Sequence, residues 1–263
     1  MVLIKDGIVC KKCNFDIYKL YNYLYSRDFR YLVDIINYER DNVSFKYEED
    51  YSIDDKQKGL DLVKLVGLLH SKTSYNKDVD SNVYDDIYKL VNDNLLYLDS
   101  YYSSMFDRFI EVIDLSPCMY MYLCNYYVID SSIKYCRNVL DNYMNEVRDK
   151  NKQRVSIVHN NLRLDHYIKN SKEYLISFDN YIIDSPIIDL YKLFRSEWKK
   201  VNIKDLYNEY SSINKLNKDE ELLLFIILCM PYKIEFSNNE RDNIVSLRDL
   251  IDYLVKVFDL IKE

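Results

Sequence analysis

Apolar and polar residues follow two different spacings along this chain, and the change occurs at about Ile53. Before it, Asp16–Arg27 repeats apolar or aromatic residues at the spacing of one helical face, which predicts a helix. Leu32–Tyr38 and Asn42–Glu48 are short runs typical of strands, and Leu3–Lys12 predicts a hairpin or a single strand. The start of the chain is therefore expected to form short strands and one helix.

After Ile53 the spacing becomes helical, apart from the segment 155–185, which breaks into short strands and loops. Amphipathic helices are predicted at Asp55–Ser71, Asn82–Tyr102, Ser104–Asp114, Ser131–Lys150, Ile188–Trp198, Ile203–Ser211, Lys218–Cys229 and Val245–Lys262. No internal repeat and no Gly/Ser-rich or Pro-rich linker is visible. The pattern predicts an α+β fold, with any division into lobes near the polar stretch Glu48–Asp55.

Composition bears on whether the protein binds nucleic acid, spans a membrane or carries a signal peptide. With 263 residues the chain can bury a large core, and its net charge of −7 gives no basic surface that would predict a nucleic-acid partner. No run approaches the ~18 apolar residues of a membrane-spanning helix. The first residues lack the apolar run and small-residue cleavage site of a signal peptide. The absence of Ala and the abundance of Tyr (28), Asn, Ile and Lys indicate an AT-rich, low-GC bacterial genome.

The six cysteines have no spacing typical of a disulfide framework. Cys10 and Cys13 form one CxxC pair, but no second pair or paired histidine completes a zinc site. We therefore expect reduced thiols and a cytoplasmic location, because disulfides are rare in the cytosol.

The segment from Val155 to Asp189 carries the most information about function. It contains His159-Asn160-Asn161-Leu162-Arg163-Leu164-Asp165-His166, followed by Leu175-Ile176-Ser177-Phe178-Asp179 and then by Ser185-Pro186-Ile187-Ile188-Asp189-Leu190. Leu68-Leu69-His70 lies upstream of it, and Leu228-Cys229-Met230-Pro231-Tyr232-Lys233 lies downstream.

In order and spacing, these runs resemble motifs of aminoglycoside phosphotransferases, choline kinases and the spore-coat kinase-like proteins. Those proteins carry His-Gly-Asp-x-x-x-x-Asn, then a strand and Ile-Asp-Phe/Trp. The resemblance covers roughly residues 8 to 260. It implies a protein-kinase-like two-lobed fold, with a reduced N-terminal lobe at 1–52 and a helical C-terminal lobe at 53–263. The catalytic loop would be 157–168, and the equivalent of the metal loop would be 175–180.

Under this resemblance, three working positions have lost their chemistry. Asn161 stands where the family has the catalytic Asp, and an amide cannot accept a proton near neutral pH. His166 stands at the metal-binding Asn, although Mg²⁺ prefers hard oxygen ligands. Ser177 stands at the metal-binding Asp and brings no negative charge. The resemblance therefore implies a degenerate active site.

Other polar residues have structural or alternative roles under the same resemblance. Lys11 or Lys12 could take the position of the phosphate-pairing lysine, but solvated strand lysines are favoured. Asp165 and Asp179 are the candidates for rebuilt metal ligands. His159 is expected to be structural, as are His70 and Asp189, with Asp189 anchoring the catalytic loop or capping its helix.

The function expected from these residues is that of a pseudokinase with a binding, regulatory or scaffold role towards a protein partner, and with no cofactor. One alternative is an atypical ATP-dependent phosphotransferase acting on a small hydroxylated molecule, which would use ATP and Mg²⁺. The other alternative is a spore-coat-associated structural protein.

Overall fold

A computed structural model describes residues 2–13, 15–39, 42–80 and 82–262. Within these residues the α-helices are α1 (Ile17–Ser26), α2 (Asp55–Thr73), α3 (Asn82–Ile110), α4 (Pro117–Val147), α5 (Ile187–Glu197), α6 (Ile203–Ile213), α7 (Lys218–Cys229) and α8 (Glu240–Ile261). The strands are β1 (Val2–Lys5), β2 (Ile8–Lys12), β3 (Ile35–Glu39), β4 (Asn42–Lys46), β5 (Tyr75–Asp78), β6 (Lys152–Val158), β7 (Tyr167–Lys169), β8 (Glu173–Leu175) and β9 (Ile182–Asp184). The predicted α+β class is confirmed.

The N-terminal sheet is antiparallel, with strand order β1-β2-β4-β3. The turn between β1 and β2 uses Asp6 and Gly7 at positive φ, which confirms the predicted hairpin. α1 follows β2 and begins after Asp16, whose side chain accepts a hydrogen bond from the Lys19 N–H at 3.1 Å. Only two strands thus precede the first helix within the described residues.

Two smaller sheets position the segment that the motifs single out. β6 lies between β5 and β9 in a three-stranded sheet, and β7 pairs with β8 as a short hairpin. A 3-10 helix at Leu164–His166 precedes β7, and a second one at Phe178–Asn180 follows β8. The predicted mixture of short strands and loops over 155–185 is therefore present.

Contacts group the chain into two compact units. The first contains Met1–Lys77 and Gln153–Lys215, and the second contains Asp78–Lys152 and Leu216–Glu263. In the first unit α2 packs on α6, and in the second α4 packs on α3, α7 and α8. The division at residue 52 concerns the lobes of the kinase-like fold and stays a prediction.

Two helix predictions in the second unit were wrong. Asn82–Tyr102 and Ser104–Asp114 form the single helix α3, because Ser103 and Ser104 donate to carbonyls three residues back and fit inside the helix. α4 begins at Pro117 instead of Ser131, with Ser116 as its N-cap and proline in the first turn.

No helix of the described residues is both long and apolar enough to cross a membrane.

Candidate active site

Asp189 holds the loop that follows β6. It lies in the first turn of α5, its side chain is 0% exposed, and it accepts hydrogen bonds from the backbone N–H groups of His159 (2.8 Å) and Asn160 (2.7 Å). Burial alone would raise the pKa of this carboxyl, but the hydrogen bond and charge of His70 and the contact with His159 outweigh it, so the pKa is lowered. The predicted anchoring role of Asp189 is confirmed.

His70 supports Asp189 from α2. Its Nε2 lies 3.1 Å from the Asp189 carboxylate, and its Nδ1 lies 2.8 Å from the Tyr210 hydroxyl on α6. Asn214 donates to the same hydroxyl at 2.6 Å. His70 is therefore a buried, hydrogen-bonded residue of the scaffold, as its position at the end of a helix predicts.

Asn160, where the motif that this segment resembles has glycine, has a left-handed backbone, with φ of 64°. Asn adopts this conformation more readily than most residues because its short polar side chain hydrogen-bonds locally. Here its Nδ2 donates to the Asn180 carbonyl at 2.9 Å, while Lys192 donates to the Asn160 carbonyl at 2.7 Å. The loop is thus tied both to α5 and to the segment after β8.

The two motif segments meet through further hydrogen bonds. The Nε2–H of His159 donates to the Ile176 carbonyl at 2.7 Å, and the Ile176 N–H donates to the His166 carbonyl at 3.0 Å. The predicted loop positions and the Ser177 segment therefore lie side by side. Ser177 itself has a left-handed backbone, with φ of 68°, at the point where the second 3-10 helix begins.

His159 and His166 are adjacent, with ring centroids 5.1 Å apart. Burial lowers the pKa of both imidazoles, and the neighbouring His159 lowers that of His166 further. The buried Nδ1 of His159 has no hydrogen-bond partner among the described residues, so a proton placed on it would be unpaired. The two imidazoles therefore favour the neutral form.

Lys11 and Lys12 differ sharply in environment. Consecutive strand residues point to opposite faces. Lys12 is exposed, whereas the Lys11 side chain is 14% exposed and forms an ion pair with both carboxylate oxygens of Asp179, at 2.8 and 2.9 Å. The preference for solvated strand lysines is thus wrong for Lys11. Sequence reasoning missed this pair because its members lie 168 positions apart.

A cavity of about 220 Å³ opens beside this ion pair, between the N-terminal sheet and the segments around β7 and Ser177. Its walls are mainly apolar, with Ile4, Val9, Val33, Phe45, Ile168 and Ile176 among them. Lys11 and Ser177 lie on the wall as well, as do Lys46 and Glu48, which form an ion pair at 2.7 Å. The arrangement suits a flat apolar group better than a set of charges.

The donor groups around the cavity do not fit a bound Mg²⁺. Ser177 supplies a neutral hydroxyl, and Asp179 is already paired with Lys11. Asp165, the other candidate ligand, has a side chain that is 78% exposed, and its carboxylate lies 3.9 Å from His166 Nε2. Among the described residues no three His, Cys, Asp or Glu side chains could share a metal ion. Mg²⁺ requires near-octahedral hard oxygen ligands, which this set does not provide.

Comparisons with known proteins place this arrangement in a fold class. No protein-family model matches the sequence, and no curated protein matches it by sequence. Among solved structures, the chain is similar to an aminoglycoside phosphotransferase from Alicyclobacillus acidocaldarius, with a TM-score of 0.67 and 9% identity over 99% of this chain and 91% of that one.

A glucosamine kinase solved with glucosamine, ADP and inorganic phosphate is similar with a TM-score of 0.53 and 9% identity, over 98% of this chain and 73% of that one. A choline kinase from Streptococcus pneumoniae is a weaker match, with a TM-score of 0.43 and 13% identity over 98% and 86% of the two chains. The protein therefore has a protein-kinase-like fold. More particularly, it has the fold of the aminoglycoside phosphotransferases, as its motifs indicate.

Proposed function

We propose that this chain is a pseudokinase: it has kept the phosphotransferase scaffold, has lost phosphoryl transfer and acts by binding. The observation that carries the proposal is the surroundings of Ser177. Under the resemblance, Asn161 and Ser177 replace acids and His166 replaces an amide, and the nearby Asp179 is paired with Lys11. A regulatory or scaffold role towards a protein partner is compatible with a site that lacks these groups.

The size of the expected loss supports this proposal. A positioned general base contributes about 10²–10⁴-fold to rate, and a metal ion that stabilises the transferring group contributes several kcal/mol more. Related kinases turn over at about 1–100 s⁻¹. Loss of both contributions would reduce turnover to a rate that is difficult to separate from background. No acid on the cavity wall stands in for the missing groups, since Glu48 is paired with Lys46.

The alternative of an atypical phosphotransferase rests on Asp179, which lies close to the cavity and could serve as a rebuilt ligand if Lys11 released it. It requires Asp179 to assist metal-dependent binding. The pseudokinase proposal requires the opposite, because in it the Asp179 carboxylate cancels the charge of Lys11. The spore-coat alternative stays a prediction from the sequence.

The test is phosphate release from ATP in Mg²⁺ and in Mn²⁺, beside a variant that restores the family residues, Asn161→Asp/His166→Asn/Ser177→Asp. We expect background release from the natural protein. The restored variant should gain thermal stabilisation by ATP that depends on Mg²⁺. The exposed double variant Asn151→Asp/Ser171→Asp, which changes the net charge by the same amount, should gain none.

Metal-dependent phosphate release by the natural protein, lost in Asp179→Ala, would overturn the proposal in favour of the atypical enzyme. If the restored variant gains no metal-dependent stabilisation, the three positions are not the cause of the loss, and the assignment of their roles is wrong.

A further inference from the structure

A second cavity lies between the segment that joins α1 to β3 and the β7–β8 hairpin. Both of its walls belong to the first compact unit. Among the described residues it shares no wall residue with the cavity beside Lys11, so it is a separate site. Its volume of about 620 Å³ lies within the ~300–1,000 Å³ of pockets that hold small organic ligands.

Hydrogen bonds hold the two walls of this second cavity in place. The Leu175 N–H of β8 donates to the Tyr31 carbonyl at 2.9 Å, which joins one wall to the other. At the tip of the hairpin, the Asn170 side chain accepts a hydrogen bond from the Lys172 N–H and donates one to Glu48, each at 2.9 Å. A ligand would therefore meet walls that are already ordered, which lowers the entropy cost of binding.

Two cations on the wall are available to a ligand. Lys172 forms no ion pair with any described residue. The Arg30 guanidinium lies over the Tyr25 ring, 5.3 Å from its centroid, and its Nε is 3.5 Å from the Asp28 carboxylate. Asp28 also binds Lys72, which is the main cause of its lowered pKa. The Nη groups of Arg30 can therefore donate to an incoming carboxylate.

The same cavity carries an unpaired negative charge. Asp34 is exposed on the wall and forms no ion pair with any described residue. Glu173, the other acid on the wall, lies 3.2 Å from the Lys169 ammonium, which also binds Asp61 at 2.6 Å. A ligand of a single charge sign would meet both signs here. A ligand that carries both an ammonium and a carboxylate would be complementary to the cavity.

The rest of the wall is largely aromatic. Tyr25, Tyr31 and Tyr174 line the cavity, together with Leu32. The Tyr174 side chain is almost fully buried, so its ring is held in place. Aromatic rings pack favourably in edge-to-face and offset arrangements, and an aromatic group of the ligand would also remove apolar surface from water.

We propose that this second cavity binds a zwitterionic ligand of dipeptide size that carries an aromatic side chain. Its carboxylate pairs with Arg30 and Lys172, its ammonium pairs with Asp34, and its ring packs against the tyrosines. The volume of the cavity sets the size of the ligand, and the unpaired charges set its zwitterionic character. The inference concerns a different cavity from the proposed loss of phosphoryl transfer and does not depend on it.

The experiment is a titration of the natural protein with alanyl-phenylalanine at pH 7, followed by NMR of the backbone amides. Three further probes each lack one group: the N-acetyl form lacks the ammonium, the C-terminal amide lacks the carboxylate, and alanyl-alanine lacks the ring. We expect alanyl-phenylalanine to bind, and each of the other three to bind at least about fivefold more weakly. The amides that shift should include those of Tyr31 and Lys172, on the two walls.

Two charge variants test the assigned contacts. Lys172→Gln should weaken alanyl-phenylalanine binding about fivefold but leave the affinity of its amide within about twofold, because the amide has no carboxylate to lose a partner. Asp34→Asn should weaken alanyl-phenylalanine binding to a similar extent and leave that of the N-acetyl form within about twofold. Lys12→Gln and Asp165→Asn remove the same charges from exposed positions outside the cavity and should change no affinity.

The titrations of the natural protein decide the inference even if a variant fails to fold. The absence of amide shifts at millimolar alanyl-phenylalanine overturns it, and so does binding of the N-acetyl and amide forms as tight as that of the free dipeptide. If Lys172→Gln weakens the free dipeptide and its amide equally, the contact between Lys172 and the carboxylate is wrong. The pseudokinase proposal is tested separately, by metal-dependent turnover of ATP.

Discussion

At the scale of single residues, Asp189 is the side chain on which the loop most depends. Its two oxygens accept hydrogen bonds from two backbone N–H groups, and one of them lies beside His70. The side chains of Asp189 and His70 are both fully buried. Whichever way an amide were turned at this position, its NH₂ group would face a donor. A carboxylate fits this position because both of its oxygens accept hydrogen bonds, whereas an amide has only one such oxygen.

We predict that Asp189→Asn lowers the free energy of unfolding by about 3 kcal/mol, because a buried charge-assisted network is broken. Urea denaturation at pH 7 measures the change. Asp165→Asn, at a side chain that is 78% exposed, is the matched control and should change stability by less than about 0.5 kcal/mol. A loss below about 1 kcal/mol in Asp189→Asn would mean that the loop does not depend on this anchor.

The paired histidines make stability depend on pH. The folded-state pKa values of His159 and His166 are lowered, mainly by burial, so the unfolded chain takes up protons first as the pH falls below the ordinary value of 6.5. Their contribution is therefore fully present above pH 6.5 and is lost as the pH falls towards the folded-state values. Each proton contributes at most about 1.4 kcal/mol per pH unit.

The second prediction is that the protein loses stability between neutral and mildly acidic pH, and that His166→Asn loses less over the same interval. Urea unfolding midpoints and slopes at both pH values give the comparison. If the free energy of unfolding depended on pH equally in the variant and the natural protein, protonation of His166 would not contribute to the loss of stability.

The residues of the loop after β6 were predictable from the sequence, whereas the ion pair beside the cavity was not. His159, Asp189 and the Ser177 segment could be placed because motif order fixes local neighbours. The Lys11–Asp179 pair joins a strand near the start of the chain to a loop 168 residues later, and no spacing rule connects such distant positions. The pair depends on the antiparallel register that places Lys11 opposite Val43, where its side chain is 14% exposed.

At the scale of elements, α2 and α6 approach closely at a glycine. A Cβ on Gly67 would lie 3.2 Å from the Cβ of Ile213 and 3.6 Å from the ring of Tyr210. The Tyr210 hydroxyl also contacts His70, so the helix contact and the loop anchor share a residue. A displacement of Tyr210 at this contact would therefore also disturb the hydrogen bond between His70 and Asp189.

We predict that Gly67→Leu destabilises the protein by about 1–3 kcal/mol through overpacking. Ser71→Leu, one turn further along α2 at an exposed position, introduces the same side chain and should be nearly neutral. Thermal melts of the two variants provide the measurement. If Gly67→Leu were as stable as Ser71→Leu, the two helices would not be in close contact at this position.

Most helices were predictable, and each error has its own physical cause. Lys218–Cys229 was placed at its observed bounds, and Asp16–Arg27 was one residue too long at each end of α1. The start of α4 was missed because its buried positions there include Cys118 and Tyr122, in a chain where tyrosine is too frequent to signal a buried face. β5 was not predicted, since all four of its residues are exposed.

At the scale of the whole molecule, a phosphotransferase fold extends over 99% of the chain at 9% identity to a solved relative. Fold is carried by many weak packing preferences, so it persists while individual working residues change. The α+β class was predictable from the spacing of apolar residues, and the kinase-like fold from the resemblance that the order of the motifs carries. Whether the site still works could not be read from that order, because it depends on which charges meet in space.

The proposed function depends on one property, the loss of coupling between bound metal and bound nucleotide. The most direct test is the ratio of ATP affinities measured by calorimetry in millimolar Mg²⁺ and in chelator. We expect a ratio close to one for the natural protein, because Ser177 is neutral and the Asp179 carboxylate is paired with Lys11. ATP affinity that rises tenfold or more with Mg²⁺, and loses that rise in Asp179→Asn, would contradict it.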